Sequence, residues 1–459
     1  MKRTLANFSA AMGGTLVGRD VAFSAISTDT RTLAAGELFV ALSGPNFDAH
    51  DFIAAAIGRG AVGAVVTRRL HAALPQIVVD DALVALQRAA AAWRSQFSIP
   101  VVAVAGSNGK TTTKELIGAV LAGQGPCLAT RGTLNNHIGV PLTLLGLEPH
   151  HRTAVIEIGA NHPGEVADLV AIVRPTVGIV TNAGAEHLEG FGSLEGVAHA
   201  EGELYAGLAP DATAIINTDD AYAALWTEMN GAGRRLCFGI TGDADFRVAG
   251  AIEANGANDV SQRFELVTPA GRADVRLLLA GRHNVVNALG AAAAAHAAGA
   301  DLAAIASGLG QTKPVRGRLE LHPALRGARV LDDSYNANPS SLTAGLGVLG
   351  SLSGESWLVL GDMAELGEAS RDAHVSAGRE ARAAGVTRLY AVGELAAKAV
   401  EAFGAGGQWF PDVEALTAAL VPSLRPGVTV LVKGSRMNRL ERVVGALRGA
   451  SDAPAAQGH

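Results

Sequence analysis

Residues 101–105, Val-Val-Ala-Val-Ala, carry no polar side chain and run straight into Gly106-Ser107-Asn108-Gly109-Lys110-Thr111-Thr112. An unbroken apolar run of this length predicts a strand buried on both faces, and therefore a parallel sheet covered by helices on either side. The glycines after it let backbone N–H groups turn inward on an anion, and a helix entered at Thr111 adds the partial positive charge of its N-terminus. Lys110 is the expected partner of the β- and γ-phosphates, and the Thr111 hydroxyl an expected Mg²⁺ ligand. The usual phosphate-loop pattern asks for Gly at position 104, where this chain has Val104. ATP is the expected cofactor, held by Gly106, Ser107, Asn108, Gly109, Lys110, Thr111 and Thr112. Kinases, GTPases, motors and ligases all use such a loop, so the reaction must be read from the rest of the chain.

The 459 residues exceed what one core organises. Three segments and a tail are expected. Residues 1–85 mix short apolar strands (38–42, 62–66) with a helix over 51–59. Residues 86–314 open with a helical stretch and the boundary Ile99-Pro100, then alternate the strands 101–105, 154–158, 177–180 and 213–216 with helices. Residues 315–450 repeat the alternation with strands at 330–332, 357–360, 389–392 and 428–432, as in a smaller dinucleotide-fold-like unit. Residues 451–459 read as a frayed tail. The expected class is α/β, with an N-terminal α/β domain, a central phosphate-loop domain built on a parallel sheet, and a C-terminal Rossmann-like domain.

With 49% hydrophobic and 17% charged residues the chain buries a large core, which excludes long disorder. The net charge of −6, with no dense Lys/Arg run, gives no footprint for nucleic acid. Cys127 and Cys237 lie far apart and outside any CxxC pattern, which excludes a disulfide framework and fits a reducing compartment. Asn7, Ser9 and Gly13-Gly14 interrupt the apolar run that a signal peptide would need after Met1-Lys2-Arg3. The apolar stretch 288–306 contains His296 and Asp301 and small residues, the pattern of a packed helix rather than a membrane span. A cytoplasmic protein is expected, acting as a monomer.

The shortened phosphate loop resembles that of the Mur ligases and folylpolyglutamate synthetases, and further motifs follow in order over nearly the whole chain. Thr133-Leu134-Asn135-Asn136 resembles the stretch that faces the UDP-sugar substrate. Glu157-Ile158-Gly159-Ala160-Asn161-His162-Pro163-Gly164-Glu165 resembles the strand end with a Mg²⁺-binding glutamate. Ala185-Glu186-His187-Leu188-Glu189-Gly190-Phe191-Gly192 resembles the loop whose histidine sits at a second metal. Gly281-Arg282-His283-Asn284-Val285-Val286-Asn287 is similar to the adenine-side motif, and Gly317-Arg318-Leu319-Glu320 to the inter-domain arginine. Ser27-Thr28-Asp29-Thr30-Arg31 and 36–42 resemble the UDP-binding domain of the later Mur ligases. Asp332-Asp333-Ser334-Tyr335-Asn336-Ala337-Asn338-Pro339-Ser340-Ser341, Gly361-Asp362-Met363-Ala364-Glu365-Leu366-Gly367 and Lys433-Gly434-Ser435-Arg436 are similar to the forms in the member that adds D-alanyl-D-alanine. No Asp-Asn-Pro-Arg, the signature of the sister adding a diamino acid, is present.

The resemblance implies an ATP-dependent ligase that joins D-alanyl-D-alanine to UDP-N-acetylmuramoyl-tripeptide through an acyl phosphate, in peptidoglycan synthesis, with two Mg²⁺ ions. It implies Lys110, His187, Glu201 and Arg318 as catalytic; Asn284, Asn287, Arg318, Asp333 and Asn336 on the nucleotide; and Thr111, Glu157, His187 and Glu201 at the metals. For the substrates it implies Ser27, Thr30, Arg31 and Asn46 in the first domain, Thr133, Asn135 and Asn136 in the second, and Asn338, Lys433 and Arg436 in the third. Asn336 and Asn338 are expected near the adenine, Lys433 and Arg436 beside the cleft for the dipeptide; surface charge is the alternative for the last two. His187 would otherwise cap a loop, and Asn284 and Asn287, three apart at a helix start, would cap that helix.

One position departs from the family. Its lysine in an Ala-Lys-Gly-Glu run is carbamylated; here the run is Ala200-Glu201-Gly202-Glu203. Either Glu201 supplies the negative charge to the second metal directly or through water, or it is a solvated helix residue and the metal is held otherwise.

Overall fold

The computed structural model describes residues 1–254, 256 and 259–449. The expected frayed tail at 451–459 lies outside them. No helix among the described residues is long and apolar enough to cross a membrane.

The strand Val101–Ala105 lies inside a six-stranded sheet ordered Arg234–Phe238, Thr213–Asn217, Val177–Val180, Val101–Ala105, Thr153–Glu157, Cys127–Ala129. Every neighbouring pair is parallel. All five of its residues are buried. Successive side chains of a strand point to opposite faces, so Val101, Ala103 and Ala105 enter one apolar cluster while Val102 and Val104 enter another. Against the second cluster pack the helix Lys110–Ala122, which leaves the phosphate loop, and the helices Arg282–Ala297 and Leu302–Gln311. Alanines 291–295 of the second of these are fully buried, and their small side chains let it approach the sheet closely. The stretch 288–306 is packed as expected but is not one helix: it ends the helix Arg282–Ala297, turns at Gly299 with φ 101°, and starts the helix Leu302–Gln311.

The first domain carries a five-stranded sheet ordered Thr15–Val17, Gln76–Val78, Gly63–Val66, Leu38–Val40, Ile26–Ser27. Between its last strand and the central sheet runs the helix Ala82–Arg94, started by Asp81, whose carboxylate accepts from the Leu83 and Val84 amides. Trp93 donates to the Leu147 carbonyl and Arg94 to the Val173 and Arg174 carbonyls. The helix is thus fastened to the central domain while its apolar face shares a core with the first helix, Leu5–Met12. A boundary at 85 falls in its first turn; the two sheets themselves are separated by residues 79–100.

The third domain is a six-stranded sheet ordered Glu320–Pro323, Arg329–Asp333, Val428–Lys433, Glu355–Gly361, Arg388–Val392, Gly407–Phe410. It is parallel except for its first strand, an antiparallel edge. The strands read from the sequence are present in all three domains. A three-stranded antiparallel sheet (Arg247–Ala254, Gln262–Thr268, Gly271–Leu277) was not anticipated. It offers only one face to the core, with Phe264, Leu266, Val275 and Leu277 buried, and its other positions are polar enough to read as loop.

Helix Leu302–Gln311 approaches the phosphate-loop helix at Gly308, where a Cβ would stand 2.5 Å from the Val120 Cα and 2.7 Å from its backbone nitrogen. Backbone cannot give way as a side-chain tip can. Gly308→Ala is therefore expected to destabilise the protein by roughly 1–3 kcal/mol despite alanine's better helix propensity. Urea unfolding monitored by circular dichroism checks this; a midpoint equal to or above wild type would contradict it.

Candidate active site

The turn after Val101–Ala105 needs left-handed backbone at two places. Gly106 has φ 114° and Gly109 φ 84°. A Cβ at Gly106 would also lie 2.2 Å from the Thr181 hydroxyl, so only glycine fits. The end of the neighbouring strand fixes the loop. Asn182 accepts from the Ser107 amide through its carbonyl (2.9 Å) and from the Asn108 amide through Oδ1 (3.1 Å). The Asn108 carbonyl accepts from the Thr181 hydroxyl and the Asn182 amide group.

Inside this loop Lys110 Nζ donates to the carbonyls of Gly106 (2.5 Å) and Ser107 (3.1 Å). Burial alone would lower its pKa, but the carboxylates of Glu186, Glu201 and Glu157 outweigh that and hold it above the ordinary lysine value. Arg318 opposes them: it has no carboxylate partner among the described residues, and its guanidinium lies 4.2 Å over the Tyr335 ring. Two cations face one space.

That space is a cavity of about 310 Å³ bounded by the loop, Thr133, Asn135, Asn136, Glu157, Glu186, His187, Arg318, Asn336 and Asn338. Glu157 Oε1 accepts from Thr111 Oγ1 (3.3 Å) and Asn135 Nδ2 (2.9 Å). Its Oε2 is buried with no hydrogen-bond partner, 3.8 Å from the fully buried ammonium of Lys114. Glu186 Oε2 is buried and unpartnered too, 3.8 Å from Lys110 Nζ. His187 has φ 52°. It directs Nε2 toward Glu186 Oε1 at 3.7 Å and contacts Glu365 through Nδ1.

Orphaned carboxylate oxygens lose hydration without compensation, and hard oxygen donors beside a phosphate loop are what Mg²⁺ selects. The donor set fits divalent cations. Among the described residues the one group of three His, Cys, Asp or Glu ligand atoms within 4.8 Å is Glu320, His322 and Asp332, on the third domain's sheet. Thr111, Glu157 and His187 thus face one cavity without forming a closed cage, an arrangement that leaves coordination positions for phosphate oxygens and water.

Glu201 lies elsewhere. It is buried in the helix Leu194–Ala206, and its Oε2 accepts the Gly106 amide at 2.7 Å. Burial pushes its pKa up to about 7, against the pull of Lys110 and the Gly106 amide. The solvated-residue alternative is overturned. The carboxylate sits beneath the loop, though, and lines neither cavity of the site. Glu186 is the carboxylate on the cavity beside His187. The sequence reading passed over it, although an acid next to the loop's histidine was the available signal.

A second cavity of about 360 Å³ lies on the other side of Gly109 and shares Asn108, Thr111, Arg318 and Ser341 with the first. Asn284 and Asn287 open the helix Arg282–Ala297 as expected, with Asn287 Nδ2 donating to Asn284 Oδ1 (3.0 Å) and Asn284 Nδ2 to the Ala280 carbonyl (2.7 Å). A Cβ on Gly109 would stand 2.6 Å from Asn287 Oδ1, so helix and loop are in close contact. Burial pulls the His283 pKa down to about 4, which leaves the ring neutral at physiological pH. Asp219, Asp220, Asn182 and Asn217 also line this cavity and were not anticipated.

Several third-domain residues fall in other places than expected. Asn336 lines the first cavity, not the second, and its Nδ2 donates to Glu186 Oε1 at 3.4 Å. Lys433 is buried on the second cavity, its ammonium bonded to Asp333 Oδ2 (2.6 Å) and the Asn336 carbonyl (3.0 Å). It is neither a surface charge nor on the first cavity, because Asp333 on the adjacent strand neutralises it. Arg436 is exposed near Glu441 and lines neither cavity. Asn338 caps the helix Pro339–Ser351 and donates to Asn108 Oδ1 (2.8 Å), while Asn108 Nδ2 donates to Ser340 Oγ (3.1 Å). Those bonds join the third domain to the phosphate loop. Ser27, Thr30 and Arg31 lie in the first domain, with Arg31 held by Asp29, and Asn46 lies in the turn between Ser43–Gly44 and Phe47–Asp48. None of the four lines either cavity.

Residues 104–295 match the Mur ligase middle domain, and residues 317–436 the Mur ligase glutamate ligase domain. The UDP-N-acetylmuramoyl-tripeptide--D-alanyl-D-alanine ligase of Escherichia coli K12 is 44% identical over 449 residues, 97% of this chain and 98% of that protein. A crystal structure of MurF from Acinetobacter baumannii superposes with a TM-score of 0.91 at 35% identity, covering 98% of this chain and 99% of that one. MurF from Thermotoga maritima, solved in complex with ADP, gives 0.80 at 26% identity, covering 93% and 97%. With both its central and C-terminal domains matched, and near-complete coverage at this identity, the chain belongs to the Mur ligase family.

Proposed function

We propose that this protein is an ATP-dependent ligase that joins D-alanyl-D-alanine to UDP-N-acetylmuramoyl-tripeptide, releasing ADP and phosphate. The observation that carries this reading is the first cavity. Two cationic side chains, Lys110 and Arg318, and two orphaned carboxylate oxygens surround a space that shares lining residues with a second cavity across the phosphate loop. The name of the E. coli relative supports the choice of substrates. In this reading residues 1–85 bind the UDP end, 86–314 the ATP, and 315–450 the dipeptide.

A carboxylate becomes a leaving group when it takes the γ-phosphoryl of ATP, and the dipeptide amine then displaces phosphate from that acyl phosphate. Negative charge moves over phosphoryl and carbonyl oxygens in both steps, so fixed cations lower both barriers. Lys110 releases the Gly106 and Ser107 carbonyls to bond phosphate oxygens, and Arg318 reaches the same group from the third domain, so chemistry waits on the domain contact. Asn284 and Asn287 hold the nucleoside side, Asp333 the ribose. Thr111 and Glu157 would hold one Mg²⁺, Glu186 and His187 a second. Bound there, the ions would neutralise charge on phosphoryl and carboxylate oxygens. Glu201 holds the Gly106 amide and balances Lys110 from below. Closing the cavity keeps water from the acyl phosphate. Both cavities come from one chain, so a monomer suffices, and the cytoplasm supplies its ATP.

Phosphate release is expected only when ATP, UDP-muramoyl tripeptide and D-alanyl-D-alanine are present together, with a product heavier by the dipeptide less water in mass spectrometry. Release with a free diamino acid on UDP-muramoyl dipeptide would instead assign the sister reaction. Lys110→Met should lower kcat about 10²–10³-fold, the usual loss of one charge-stabilising donor, in steady-state assays; a drop below tenfold would remove Lys110 from the mechanism.

Glu201 gives a pH prediction. Its carboxyl keeps its proton in the folded protein up to about pH 7, while in the unfolded chain it loses it near 4.5. The folded state therefore binds more protons between those values, and the Glu201 contribution to stability falls as pH rises through that window. The amide of Glu201→Gln accepts the same Gly106 N–H without titrating. Unfolding free energy of the variant relative to wild type should rise from pH 5 to about 7, and a difference that does not change with pH would show that Glu201 titrates normally.

A further inference from the structure

His187 stands in left-handed backbone (φ 52°), and so does the residue its ring touches, Glu365 (φ 62°). Neither is glycine; left-handed backbone is uncommon for other residues, with Asn, Asp and His the more frequent exceptions, so Glu365 is the costlier of the two. The two come from different domains. His187 precedes the short helix Leu188–Phe191 of the central domain, and Glu365 follows the strand Glu355–Gly361 of the third. Backbone contact accompanies the side-chain contact, since the Glu189 amide donates to the Glu365 carbonyl (3.4 Å) and Gly367 packs on Glu189. The ring is therefore oriented from outside its own domain.

The nitrogen that Glu365 takes is Nδ1. Nε2 is left pointing at Glu186 Oε1, 3.7 Å away, with the orphaned Glu186 Oε2 behind it. A carboxylate that accepts Nδ1–H fixes the tautomer in which Nε2 carries a lone pair, the arrangement by which outer carboxylates prepare histidines for metal ions. From this we infer that Glu365 is a positioning residue: it locks the His187 imidazole so that Nε2 can join Glu186 in holding a divalent cation. Because Glu365 lies on the third domain, that cation site is complete only when the third domain is docked. The inference rests on the two-cation reading above and extends it to a residue with no role in that reading.

The test uses the full-length protein labelled with ¹⁵N-histidine, at a pH where the imidazole is neutral, with the His187 signal identified by its loss in His187→Asn. Long-range ¹H–¹⁵N correlation should show the Nδ1–H tautomer in wild type and in Glu365→Gln, whose amide oxygen still accepts, and the Nε2–H tautomer in Glu365→Ala. Mn²⁺ bound in the presence of a non-hydrolysable ATP analogue, counted by electron paramagnetic resonance, should number two in wild type. The weaker ion should bind about 10–100-fold less tightly in Glu365→Ala. A His187 tautomer that ignores Glu365→Ala overturns the positioning role. A single Mn²⁺ in wild type overturns the two-cation reading instead, whatever the tautomer does.

Discussion

A half-buried ammonium governs the centre of this molecule. Lys110 has three carboxylates around it, Glu186, Glu201 and Glu157, and the unpaired guanidinium of Arg318 nearby. Desolvation penalises each of these charges separately, and only their mutual arrangement makes the set tolerable. The balance is incomplete, because oxygens of Glu157 and Glu186 find no donor. In the reading proposed above, an anion between the cations and metal ions on the orphaned oxygens would complete it.

The rest of the fold keeps those charges in place. Glu157 ends one parallel strand and the loop of Lys110 follows its neighbour, so strand register sets their separation. Glu201 is carried up from below by a helix and bonds Gly106, so the same contact balances the lysine and shapes the turn. Arg318, Asn336, Asn338 and Glu365 all arrive from the third domain. The contacts of Asn336 with Glu186, Asn338 with Asn108 and Glu365 with His187 mean that one wall of the first cavity is a product of domain docking. Docking can therefore regulate chemistry as well as access.

Two misplacements have one physical cause. Lys433 was expected to face an incoming substrate, yet Asp333 on the neighbouring strand is close enough to neutralise it. Glu201 was expected at a metal, yet a backbone amide above it takes the oxygen that a metal would need. In each case a charge found a partner from a distant part of the chain, and motif spacing says nothing about such partners.

The apolar run 101–105, the glycines after it and the alternation of strands with helices determined the class of each domain by themselves, because burial on both faces and left-handed turns demand particular residues locally. The motifs likewise placed Lys110, Thr111, Glu157, His187, Asn284 and Asn287 at the site. The antiparallel sheet at 247–277, with one wet face, left too weak a period to read. Only the tertiary structure decided which carboxylate joins Glu157 at the cavity, Glu186 rather than Glu201, and which domain's side chain touches His187. Those outcomes depend on the distances between residues far apart in sequence, where electrostatic energy is settled by geometry and not by order along the chain.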